Sequence, residues 1–131
     1  MPRKKLPPLT EAELRLMKIV WQKGKGTVSE VAAALPKELG LAYNTVLTTL
    51  RILEAKGYLR HKKAKDARAF LYLPAVDQIQ ATRNAVRHLM GRFFGDSPAA
   101  LVLNLLEDET LEEPELKKIR ELVQREEGDP E

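Results

Sequence analysis

The side chains best suited to chemistry lie between residues 42 and 57, AYNTVLTTLRILEAKG. Wound at 3.6 residues per turn, this stretch separates two faces. Tyr43, Val46, Leu50 and Leu53 share one face by steps of three and four, with Leu47 on its edge. Asn44, Thr45, Thr48 and Ile52 fall opposite, flanked by Arg51 and Thr49. Thr and Asn are mediocre helix formers, and an idle solvated face would more readily carry Glu, Lys or Gln. Short donors and acceptors are what base edges in a DNA major groove require. Tyr43, Asn44, Thr45, Thr48, Thr49 and Arg51 are therefore the candidate groove contacts. A solvated helix enriched in Thr by chance is the competing reading on these residues alone. Gly57 offers a left-handed stop, and Lys56 suits the negative end of the helix dipole.

Other chemistry is poorly served. The two histidines, His61 and His88, have no paired nucleophile and no metal-ligand spacing, and there is no Gly-rich phosphate loop. His61 reads as a residue near phosphate or simply exposed, and His88 as a helix-surface or interface histidine. With no Cys, neither disulfides nor thiolate metal sites arise. The chain is therefore expected to have no catalytic residues, no metal and no cofactor.

The elements that must position residues 42–57 come before and after it. Residues 1–8 read as a flexible basic arm carrying Arg3, Lys4, Lys5 and three prolines. TEAE at 10–13 is a capping box, with Leu9 as its staple, opening a helix to about Lys23 whose buried stripe is Leu14, Met17, Val20 and Trp21. Gly24 and Gly26 break it. TVSE at 27–30 is a second box, starting a short helix with Val28, Val31, Ala32 and Leu35 inside. Residues 36–41 form a loop that turns at Gly40. Helix, short helix, turn and helix is helix-turn-helix order, with 42–57 in the recognition position. Residues 58–62 and 69–73 then read as a hairpin stopped by Pro74, with Lys62, Lys63, Lys65 and Arg68 at or near its tip. After a recognition helix, such a hairpin is a wing for the DNA backbone.

Charge divides the chain in the same way. Residues 1–74 hold 15 Lys/Arg against 6 Asp/Glu, a net of +9, whereas 75–131 hold 7 against 13, a net of −6. Helices are expected over 77–92 and over 99–107 behind Ser97-Pro98, and then after a third capping box, TLEE at 110–113. Their apolar residues are too many for three short helices to enclose. A two-fold homodimer would cover Ile79, Val86, Leu89, Met90, Phe93, Phe94, Leu101, Val102, Leu105, Leu106, Leu116, Ile119 and Val123. Packing back on the first half is the alternative. The expected organisation is thus an arm at 1–8, a winged helix at 9–74, a helical dimerisation region at 75–125 and a frayed acidic tail at 126–131. The fold class is mainly α with a small β-wing. No apolar run reaches membrane-span length and no signal-peptide core opens the chain, so a cytoplasmic protein, nucleoid-associated when bound, is expected.

In this order and spacing, several motifs resemble the penicillinase-repressor family of bacterial transcription regulators. They are LTEAE at 9–13 with Trp21, TVSEV at 27–31, YNTVLTTL at 43–50, LEAKG at 53–57, FLY at 70–72 and FFG at 93–95. The resemblance covers roughly residues 9 to 123. It implies a winged helix, a helical dimerisation part and repression by covering a palindromic operator. Thr45 and Thr48 stand where the family presents hydroxyls to bases and phosphates. Ile52 departs from a position that is often basic in the family; a phosphate contact is lost there, or a thymine methyl is met instead. In the β-lactamase branch a protease ends repression by cutting between Asn and Phe. Here Asn104 is followed by Leu105, and an inducing protease or sensor protein is the partner this implies. The copper branch ends in a cysteine cluster, which a cysteine-free chain excludes.

The leading expectation is a homodimeric, sequence-specific repressor on a double-stranded DNA operator. The alternatives are a winged-helix protein-interaction module without specific DNA binding and a repressor released by a small ligand at the dimer interface.

Overall fold

A computed structural model describes residues 6–65, 69–107 and 111–127. Along the chain these form α1 (Glu11–Lys23), α2 (Val28–Ala34), a 3-10 turn (Lys37–Leu39), α3 (Tyr43–Ala55), β1 (Leu59–Lys63), β2 (Phe70–Pro74), α4 (Gln78–Phe93), α5 (Pro98–Glu107) and α6 (Glu113–Glu127).

Local chemistry explains where the helices start. At α1 the Thr10 hydroxyl accepts the Glu13 amide at 3.2 Å while the Glu13 carboxylate accepts the Thr10 amide at 2.9 Å. Thr27 and Glu30 repeat the arrangement at α2. Asp77 and Gln80 form another reciprocal pair at α4, at 2.8 and 3.2 Å, which the sequence reading did not anticipate. Ser97 Oγ accepts the Ala100 amide at the start of α5. The box expected at Thr110 lies outside the described residues.

Two compact units divide the chain, Met1–His88 and Leu89–Glu131. In the first, α1, α2 and α3 close over the base of the hairpin. Leu16, Met17 and Val20 meet Val31, Val46, Leu50 and Leu53, with Tyr58 and Tyr72 buried among them. The α1 stripe is centred differently from expectation. Leu16 takes the central place and Leu14 is only half-buried, because the inward arc runs through Glu13, Leu16, Met17 and Val20. Trp21 is half-buried and donates its indole N–H to the Val76 carbonyl at 2.9 Å.

β1 and β2 pair antiparallel with His61 opposite Tyr72 and Lys63 opposite Phe70. Leu59, His61, Lys63, Phe70 and Tyr72 therefore share one face, and Arg60, Lys62, Leu71 and Leu73 the other. Gly26 does more than break α1: it exchanges two backbone hydrogen bonds with Tyr72, at 3.0 and 2.8 Å, and so adds a third short rung to the sheet.

Residues 6–8, read from sequence as part of a flexible arm, are fastened in place. Their carbonyls accept from Asn84 Nδ2 (3.0 Å, at Leu6), Tyr58 Oη (2.6 Å, at Pro7) and Lys56 Nζ (3.1 Å, at Pro8). Gly57 lies beneath this strap at φ +94°, and a Cβ there would come within 3.2 Å of Leu6 Cδ2.

In the second unit none of the described residues is buried in the sense that Leu16 or Leu50 is. Among the described residues no helix is long and apolar enough to cross a membrane.

Candidate nucleic-acid interface

The inward side of α3 carries Val46, Leu50 and Leu53, each essentially inaccessible, and these hold the helix against α1 and α2. Tyr43 is not part of that stripe. It is 53% exposed in the first turn and so belongs with the outward residues. Asn44, Thr45, Thr48 and Arg51 are exposed, and Ile52 is 42% exposed among them. The structure thus leaves Asn44, Thr45, Thr48 and Arg51 open on the outward side and Tyr43 open in the first turn, with one qualification. Thr49 is half-buried and its hydroxyl donates to the Thr45 carbonyl at 2.8 Å, so that donor is used within the helix.

Ala42 stands at the N-cap of α3, and no side chain caps the helix. Backbone N–H groups in its first turn consequently face outward at the positive end of the helix dipole. An anion placed there would satisfy them.

The hairpin brings Lys62, Lys63 and Lys65 to the surface beside α3, although Lys62 projects from the opposite face to Lys63. Arg68 lies outside the described residues, as do Arg3, Lys4 and Lys5. His61 is not a loose surface histidine. Its Nδ1 lies 2.6 and 2.8 Å from the two carboxylate oxygens of Glu54 on α3. Its ring packs on Phe70, centroid to centroid 4.7 Å, with Tyr72 at 5.9 Å. Burial pushes the Tyr72 phenol above its usual range and the Glu54 charge adds to that, whereas Arg51 opposes it. Arg51 and Glu54, one turn apart, thus both stand close to the root of the hairpin. Nothing in the sequence advertises Glu54 as part of this surface, because the partner it meets lies across an element boundary.

At the far end of α3, Lys56 reaches back to Glu13. Its Nζ lies 2.6 Å from Glu13 Oε1, and Glu13 is only 6% exposed. Burial works against the Glu13 charge, yet the bonds from Lys56 and Thr10 outweigh it and hold the carboxyl below its ordinary value. This pair ties the recognition helix to the start of α1.

The apolar residues expected at a dimer interface fall into two groups. Ile79, Val86, Leu89, Phe93, Val102, Leu105, Leu106 and Val123 are exposed, whereas Met90, Phe94, Leu101, Leu116 and Ile119 are half-buried. Leu103 and Leu122, outside the expected set, are just as open. Asn104 is exposed on α5, with Leu105 after it.

A three-helix core, an open polar third helix and a hairpin at its flank define a winged helix-turn-helix regulator. The chain belongs to the penicillinase repressor family, whose profile matches residues 9–125; this is a family of transcriptional repressors and not of enzymes. It is 30% identical over 121 residues to the penicillinase repressor of Bacillus licheniformis, covering 92% of this chain and 93% of that one. The methicillin resistance regulatory protein MecI of Staphylococcus aureus (strain N315) is 22% identical over 117 residues, covering 89% and 94%. The solution structure of Bacillus licheniformis BlaI, a monomeric form in complex with the blaP half-operator, superposes with a TM-score of 0.50. It is 35% identical, with 60% of this chain and 93% of that chain covered.

Proposed function

We propose that this protein represses transcription as a homodimer on a palindromic operator, each protomer laying α3 in a major groove. One observation carries the reading: the exposed row Asn44, Thr45, Thr48 and Arg51 stands on a helix packed firmly from behind, next to a lysine-bearing hairpin. Base edges would be read by that row, and phosphates by Lys62, Lys63, Lys65 and the uncapped first turn of α3. The half-operator bound by the related BlaI monomer supports one protomer per half-site. Half-sites would then lie one helical turn, roughly 34–36 Å, or a multiple of it apart. The open apolar residues of α4, α5 and α6 support the homodimer. An inducing protease or sensor protein would act at Asn104–Leu105, on the exposed side of α5. DNA as the target supports a cytoplasmic protein, on the nucleoid when bound.

The test is fluorescence anisotropy with genomic inverted-repeat fragments against scrambled duplexes of equal length. A preference of about a thousandfold or more is expected at physiological salt. Equal affinity for both would remove the reading in favour of a protein-interaction module.

A further inference from the structure

We propose that Glu54 and His61 are positioning residues: they latch the hairpin to α3 and so determine how many of its lysines meet the DNA backbone. The inference rests on the DNA-binding reading above.

A two-stranded hairpin is marginal by itself and takes its angle from whatever holds it. Here the root is held by the core, through Leu59 and Tyr72. Two residue pairs out from Tyr72, at Lys63 and Phe70, the core has ended, and Phe70 is 44% exposed. Between root and tip, His61 is sandwiched. Glu54 of α3 holds its Nδ1 at 2.6 and 2.8 Å, and the Phe70 ring packs against its face at 4.7 Å. This side-chain hydrogen bond joins the middle of the hairpin to the recognition helix. Lys63 follows two residues later on the same face, and Lys65 stands beyond it. A hinge at His61 would swing both lysines.

Charge alone predicts the opposite of what geometry predicts. Glu54 places a carboxylate near a polyanion, so removing it should strengthen DNA binding, most of all at low salt. Nor does stability account for the pair, since side-chain pairs this exposed contribute little. If the pair sets an angle, removing it weakens binding despite the lost negative charge.

The experiment measures operator affinity of the whole protein against log salt. Glu54→Ala is expected to weaken binding several-fold and to flatten the slope by about one unit or more, as if a phosphate lysine had been lost. Glu54→Gln, which still offers His61 an acceptor, should restore the wild-type slope. His61→Ala should reproduce the loss, and the double variant should lose no more than either single one. Melting temperatures should stay within about 2 °C of wild type. In a background with Lys62, Lys63 and Lys65 all changed to alanine, Glu54→Ala should leave the slope unmoved. Tighter binding by Glu54→Ala, or an unchanged slope while Lys65→Ala flattens it, overturns the latch and leaves the DNA-binding reading standing. A wild-type slope insensitive to all three lysines overturns both.

Discussion

Glu13 holds together three things at once: its own helix start, the end of α3 through Lys56, and the charge balance of a site that is nearly closed to water. Its carboxyl titrates below the usual value of 4.5 in the folded chain, because Lys56 and Thr10 outweigh the burial that opposes ionisation. A depressed carboxyl contributes stability that is fully present above its unfolded pKa and disappears as pH falls through the folded one. Glu13→Gln keeps the capping geometry, since Gln serves in that box as well as Glu, and removes only the charge. At pH 7 the variant should lose about 1.5–3 kcal/mol, the worth of a charge-assisted hydrogen bond in a dry site. Denaturant melts taken down to about pH 2 should show the two proteins converging as Glu13 takes up its proton. A constant gap at every pH would show that the ion pair is idle.

Among the elements, α3 differs from the capped helices in its beginning. Thr10, Thr27 and Ser97 supply side-chain caps to α1, α2 and α5, whereas Ala42 supplies none. Ala42→Asp should therefore raise stability by about 1 kcal/mol, as N-cap substitutions do. The same carboxylate would sit where a phosphate is proposed to dock, so operator affinity should fall by about tenfold or more. Opposite signs in a thermal melt and a binding isotherm are the expected signature; a rise in both would place the DNA elsewhere. The capped starts were legible in advance because a capping box is written within four residues. So was the outward face of α3, which follows from the helical repeat. Features built from distant residues were not. The Gly26–Tyr72 rung joins positions with no pattern linking them, and the strap at residues 6–8 depends on Asn84, Tyr58 and Lys56 arriving together. Tyr43 was placed inward by its spacing, but the first turn of a helix projects past the elements that bury its middle.

At the scale of the whole molecule, the two units are unequally furnished. The first has a closed core, while in the second residues such as Phe93, Leu103 and Val123 remain half open or more. Such surface is expensive to leave in water, at about 25 cal/mol per Å². In the proposed homodimer each protomer contributes Phe93 to the shared face, so Phe93→Asp is felt twice. Sedimentation equilibrium should show the dimer weakened by about a hundredfold or more. Binding to an isolated half-site should be spared, since α3 and the hairpin lie in the other unit. A Phe93→Asp protein that stays dimeric would move the interface away from the end of α4.

The strap at residues 6–8 bears on where this domain begins. A chain cut to start at residue 9 would keep every helix, both strands and the whole matched span, and by circular dichroism it would pass for intact. Yet an amide on α4, and a phenol and an ammonium from the connection between α3 and β1, would each be left facing water or nothing in place of a carbonyl. Three letters that no helical or strand repeat would flag, LPP at 6–8, thus carry part of the fastening of the reading head.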